Sequence, residues 1–254
     1  MPTRTTPRLS DAQIVEVLRL LEDADSVELK LTVPASDQRS SIEALGFDPL
    51  DAQVRLIYFF DTPDLALSRA GVVVRARRMA RKGEDSVVKL RPVVPDALPK
   101  KLRADPGFGV EVDAMPGGFV CSGRLRVEAP SLGVADAAAG TQPLHKLFSK
   151  QQRALFADHA PAGIALDDLT TLGPIFTLKL KGTPRGFRSK LIAELWLFPD
   201  GTRILELSTK CPPSDAFQVA AETRARLTEH EISLSGDQET KTRRALEFFS
   251  SSPA

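Results

Sequence analysis

Cysteine occurs only twice and histidine three times in this 254-residue chain. Cys121 and Cys211 lie far apart and form neither a CxxC pair nor a Cys/His ligand pattern, which argues against a zinc hydrolase. No run approaches the ~18 apolar residues that a membrane-spanning helix needs, which argues against a membrane protein. A charge surplus is missing too. The 34 Lys and Arg nearly cancel the 33 Asp and Glu, so with a net charge of +1 no global field draws the chain to nucleic acid or to an anionic membrane. Any anion site has to be local.

What is present suits a soluble domain: 42% hydrophobic and 26% charged residues can bury a core. The first residues hold no signal-like apolar stretch, and the cytosol is the expected compartment. Residues 1–8, rich in Thr, Pro and Arg, read as a disordered leader. Residues 9–254 read as one domain of two halves, 9–128 and 142–254, joined by an Ala/Gly-rich linker.

Ser10 with Gln13 is a capping-box pair, and Ile14, Val17, Leu18 and Leu21 then share one helical face. From 27 to 33 apolar residues alternate with polar ones, the period of a half-buried strand. Further strands are expected over 53–61, 72–78, 86–93, 108–114, 119–128, 175–182, 191–198 and 203–210, with helices over 37–45, 144–157, 215–229 and 238–249. Eight or nine strands suit a small closed barrel.

Basic residues recur as i, i+2 pairs within these strands: Arg75 with Arg77, Lys89 with Arg91, Lys179 with Lys181, and again Arg124 with Arg126. Spacing of two puts both members on one face, and the residues between are apolar. Glu28 stands two before Lys30, Glu111 pairs with Asp113, and Glu194 and Glu206 occupy the arms of a late hairpin. One reading makes these faces the wet outside of an antiparallel sandwich. A wet face normally mixes signs across strands, whereas same-sign pairs recur here. Turned inward, so many cations would cost several kcal/mol each without water or a polyanion, so an inward arrangement implies a ligand.

At these residues the chain resembles the CYTH superfamily, the triphosphate tunnel metalloenzymes. Ser26-Val27-Glu28-Leu29-Lys30 is similar to the opening Glu-x-Glu-x-Lys strand, and 58–65 with 71–78 to the Tyr-Phe-Asp-Thr-Pro turn and first arginine strand. Ser86–Arg91, Glu111-Val112-Asp113, Lys179-Leu180-Lys181, the 193–206 hairpin and Thr240-Lys241 resemble the later motifs in order. The resemblance implies an α+β fold, a closed antiparallel eight-stranded barrel with peripheral helices, that binds and usually hydrolyses triphosphates with Mg²⁺ or Mn²⁺. It implies that Lys30, Arg75, Arg77, Lys89, Arg91, Lys179, Lys181 and Lys241 hold phosphates. Glu28, Glu111, Asp113, Glu194 and Glu206 would hold metal, with Glu28 and Lys30 closest to the chemistry. Small-molecule triphosphates or polyphosphate are the implied partners, rather than nucleic acid or membrane.

Three positions depart from that pattern. Ser26, Phe198 and Ser208 stand where the motifs carry acids, which weakens the metal site. A metal-dependent triphosphatase is the first expectation, a non-catalytic nucleotide or polyphosphate-binding module the second, and an adenylate cyclase the third. Trp196 and Phe198 share the parity of Glu194, as packing residues or as a base-stacking platform. Tyr58 reads as structural or as positioning a water, and His145 and His159 as surface or cap residues.

Overall fold

A computed structural model describes residues 10–233, 238 and 240–251, and the expected leader at 1–8 lies outside them. Among the described residues the strands are β1 (Ser26–Val33), β2 (Gln53–Asp61), β3 (Val72–Met79), β4 (Gly83–Leu90), β5 (Phe108–Met115), β6 (Gly118–Ala129), β7 (Thr170–Gly182), β8 (Leu191–Leu197) and β9 (Arg203–Cys211). They close into a barrel in the order β1-β5-β6-β4-β3-β2-β7-β8-β9 and back to β1. The expected eight antiparallel strands are corrected to nine, with one parallel pair, β1 beside β5. Counting gives the reason. Strands that alternate in direction around a ring must be even in number, so a ring of nine forces two like-directed neighbours together. Strands from both halves of the chain build the one ring.

The helices are α1 (Asp11–Glu22), α2 (Gln38–Ala44), α3 (Ala66–Arg69), α4 (Lys100–Arg103), α5 (Val134–Ala138), α6 (Lys150–His159), α7 (Ala216–Glu229) and α8 (Lys241–Ser251). The first seven lie on the outer wall, and this placement turns the barrel's polarity inside out. Val72, Val74 and Ala76 of β3, with Val88, Leu90 and Leu125 of the neighbouring strands, face outward. They are buried under Leu67, Val134, Ala137, Leu155 and Phe156 of α3, α5 and α6. Each such Val, Leu or Phe side chain contributes roughly 1.5–3 kcal/mol when fully withdrawn from water. Similar apolar layers lie under α2 and α7 and under α1. With the apolar faces outward, period-two alternation leaves the polar faces in the interior.

Local devices hold the covering helices in place. Ser149 caps α6 by accepting from the Gln152 N–H, and the fully buried Gln152 amide donates to the Ser86 and Leu125 carbonyls at 2.9 and 3.1 Å. The helix expected over 144–157 is therefore two pieces, a 3₁₀ turn at Leu144–Leu147 and then α6. A serine that serves as a cap cannot also continue a helix through itself. In the Ala/Gly-rich segment, the Glu84 carboxylate accepts from the Leu132 and Val134 N–H groups at the start of α5. Asp61, at the end of β2, accepts from the N–H groups of Thr62, Leu67 and Ser68, which sets the turn into α3. On α1 only Val17 and Leu21 of the expected apolar face are buried, while Ile14 and Leu18 stay exposed.

The last helix differs from the others. Ala245 and Leu246 of α8 pack against Ile57, Phe59, Ile175 and Trp196, all of which share inward faces by register. The α8 helix therefore closes the barrel interior on one side, and Thr240 accepts a hydrogen bond from the Arg243 N–H at its start.

Candidate anion-binding cavity

Directly opposed residues on paired strands share a face, so the register alone gathers the polar groups. Arg75 opposes Phe59 and Val87, Arg77 opposes Ile57 and Asp85, and Lys89 opposes Arg124. Lys179 opposes Glu194, which in turn opposes Glu206. The result is a cavity of about 470 Å³ lined by eleven cations, Lys30, Arg55, Arg75, Arg77, Lys89, Arg91, Arg124, Arg126, Lys179, Lys241 and Arg243, and four carboxylates, Glu28, Glu111, Glu194 and Glu206. Asp85 and Asp113 are fully buried behind the wall, and among the described residues the cations lining the cavity still outnumber the carboxylates in and behind its wall. The whole chain carries only +1, so the positive charge is concentrated in the interior with no sign of it in the overall composition.

Three ion-pair groups divide the wall. In the first, Asp113 lies 2.7 Å from Lys30, 3.3 Å from Lys89 and 3.2 Å from Arg91, while Glu28 is 3.0 Å from Lys30 and Glu111 is 2.6 Å from Lys210. Burial opposes the Asp113 charge, yet Lys89, Lys30 and Arg91 outweigh it and hold the carboxyl well below its usual range. Lys30 is shifted upward in the same balance: burial works against its charge, and Asp113 and Glu28 more than restore it. In the second group, Asp85 receives Arg77 through a two-point contact at 2.9 and 2.5 Å and Arg126 at 2.8 and 2.5 Å. Burial again opposes the charge, but Arg77 brings the Asp85 carboxyl down to about 2. In the third, Lys241 bridges Glu194 at 2.5 Å and Glu206 at 2.9 Å.

Arg75 belongs to none of these groups. Among the described residues no carboxylate is within ion-pair distance of it, and its enclosed Nε has no hydrogen-bond partner. Burial, followed by repulsion from Arg77, pushes its guanidinium down to about 9. A half-buried cation with no carboxylate in contact is costly, and here it faces an open polar cavity.

The structure brings Glu28, Lys30, Arg75, Arg77, Lys89, Arg91, Glu111, Lys179, Glu194, Glu206 and Lys241 onto one wall, with Asp113 directly behind it. Lys181 is exposed near the end of β7 and is not on that wall. Of the positions that lack acids, Ser26 is buried opposite Glu111 and Ser208 is buried opposite Lys30. Phe198 lies just past β8 and packs against Phe248, whereas Trp196 lines the cavity. Tyr58 faces the outer apolar layer, and His145 pairs with Asp167 away from the cavity.

Sequence reasoning missed Arg55 and Asp85 and left Arg124 and Arg126 without a role. Asp85 shares parity with Lys89, and starting that strand at residue 86 hid it. Arg55 stands alone between apolar neighbours, with only its parity to Ile57 and Phe59 as a signal.

Glu28, Glu111 and Asp113 each present one carboxylate oxygen, all within 4.8 Å of one another. Such hard oxygen donors fit Mg²⁺ or Mn²⁺.

A closed barrel with a polar interior and helices over its outer wall agrees with the triphosphate-tunnel type of barrel that the sequence motifs resemble. Among solved structures, a proposed adenylate cyclase from Bacillus halodurans is similar with a TM-score of 0.60 and 14% identity, over 87% of this chain and 98% of that one. HpAC1 from Hippeastrum, a proposed adenylyl cyclase described as having a dominant triphosphatase activity, is similar with a TM-score of 0.61 and 16% identity, over 86% and 94%. At these identities the likeness establishes the fold. No family model matches the chain, and no curated protein matches it in sequence.

Proposed function

We propose that the cavity binds the triphosphate of a small molecule, or inorganic triphosphate, and hydrolyses it with a divalent metal. The observation that carries this reading is Arg75, a cation turned into a hollow rich in positive charge, which no carboxylate among the described residues meets at ion-pair distance. A triphosphate supplies the missing negative charge, and the planar guanidinium groups of Arg75, Arg77 and Arg126 suit phosphate oxygens. The triphosphatase activity described for HpAC1 agrees with this reading.

Phosphoryl transfer asks a protein mainly for positioning and for stabilisation of oxygen charge. Arg75, Arg91, Arg124 and Lys89 hold and orient phosphate oxygens from the β3, β4 and β6 side of the wall. Lys30, kept protonated by Asp113 and Glu28, donates to a phosphate oxygen and does not act as a base. Glu28 has a side chain 22% exposed, so it retains the solvent access needed to orient an attacking water. A Mg²⁺ or Mn²⁺ ion held by Glu28, Glu111 and Asp113 would neutralise charge on the transferred phosphoryl group.

Calorimetry with tripolyphosphate, paired with phosphate release in Mg²⁺ and Mn²⁺, tests the proposal. Binding that weakens at least about tenfold in Arg75→Ala, a loss of ~1.4 kcal/mol, is expected alongside turnover in the wild type. Absence of binding would overturn the reading, and tight binding without turnover would replace it with a non-catalytic sensor.

A further inference from the structure

The resemblance assigns Glu194 and Glu206 to metal, and their surroundings disagree. They oppose each other across the β8–β9 pair, and between them sits the Lys241 ammonium, 2.5 Å from Glu194 Oε2 and 2.9 Å from Glu206 Oε1. The other Glu194 oxygen, Oε1, already faces Lys179 at 3.3 Å and Arg55 at 3.6 Å. The Lys241 ammonium is satisfied as well. An ammonium has three N–H donors, and among the described residues it meets the two carboxylates and the Trp196 ring, whose centroid lies 5.1 Å away. A divalent ion of the Mg²⁺ class needs about six oxygens in near-octahedral order. Among the described residues this corner offers two carboxylates engaged by three cations, with both oxygens of Glu194 taken and serine instead of acid at position 208. The site at Glu28, Glu111 and Asp113 is ion-paired as well, but it brings three carboxylates together, and Glu28 and Glu111 each meet one cation through a single oxygen.

We propose that Lys241 is a resident cation in place of a second divalent metal, so that the cavity is a single-metal site at Glu28, Glu111 and Asp113. The inference deepens the triphosphatase reading and takes from it the identity of that first site. The covalent chain delivers this charge. Lys241 is the first residue of α8, and Ala245 and Leu246 anchor that helix among Ile57, Phe59 and Trp196, so its ammonium is placed by packing, without any binding equilibrium. Unlike a metal ion, it can neither dissociate nor be stripped by a chelator.

The test is Mn²⁺ stoichiometry on the full-length protein, by calorimetry and by electron paramagnetic resonance of unbound Mn²⁺, in the presence of tripolyphosphate. One ion per chain is expected in the wild type and in Glu194→Gln. Lys241→Met should gain one ion, and Lys241→Met combined with Glu194→Gln should lose that gain. Two ions in the wild type, with one lost in Glu194→Gln, overturn the proposal, as does a folded Lys241→Met that gains none. If Lys241→Met fails to fold, Glu194→Gln alone decides, since unchanged stoichiometry supports the resident cation and a lost ion refutes it. Failure of the triphosphatase reading looks different: the wild type then takes up no ion or turns over no triphosphate, while Lys241→Met still gains its ion.

Discussion

Arg75 and Asp85 show how opposite effects follow from a buried charge with close partners and a half-buried one without. Replacing Arg75 by Met removes a cation that no carboxylate among the described residues contacts, so we expect the variant to melt at a higher temperature than the wild type while losing tripolyphosphate affinity. Thermal unfolding and calorimetry on the same sample check both signs, and a lower melting temperature would contradict the account of Arg75. Asp85 behaves in the other sense. Its carboxyl titrates near 3.8 in the unfolded chain and at about 2 in the fold, which corresponds to about 2 kcal/mol. That stability is fully present above about pH 4 and is lost as the pH falls toward 2. Asp85→Asn should therefore cost about 3 kcal/mol at pH 5, and the gap to the wild type should narrow at pH 3 in urea unfolding. A gap independent of pH would mean that the charge is not responsible. At this scale the i, i+2 rule made most of the cavity wall legible, because strand parity needs no knowledge of partners. It could not tell that Lys181 runs past the hollow, since that depends on where along β7 the interior ends.

Among the elements, α6 shows how a covering helix is fixed to the barrel by one side chain. The Gln152 amide donates to the Ser86 and Leu125 carbonyls across two strands and accepts from the Ser86 hydroxyl, so Gln152→Ala removes three buried hydrogen bonds. A loss of about 2–4 kcal/mol in chemical denaturation is expected, with the same apolar layer intact. Strand existence was readable from alternation and helix starts from Ser10 and Ser149. The 3₁₀ turn before α6 was not, because apolar spacing continues across it and only the cap breaks the backbone. Nor could spacing show that α8 packs against the inward faces while α7 lies on the outer wall, as both carry apolar residues at helical intervals.

Over the whole molecule, the closure with an odd number of strands was invisible in the sequence, since the β1–β5 pairing joins segments more than seventy residues apart with no local signature. The balance of charge was equally silent, because outward acids on the surface offset the inward cations. A concentrated cationic interior predicts how binding responds to pH. Arg75 releases its proton near 9, and Lys89 and Lys179 are also shifted downward, chiefly by burial. Anion affinity should therefore hold below about pH 9 and weaken above it. Calorimetric titrations with tripolyphosphate at pH 7, 9 and 10 check this, and a flat profile would contradict it. Tripolyphosphate at about 100 times its dissociation constant should also stabilise the fold by about 2.7 kcal/mol.

Trp196 is the only tryptophan in the chain, it sits on the cavity wall, and it carries the Lys241 ammonium over its ring. Its fluorescence therefore reports on one corner of the interior with no competing indole. Any event that moves that ammonium, whether an arriving ion or a filled cavity, changes the emission of an unlabelled sample.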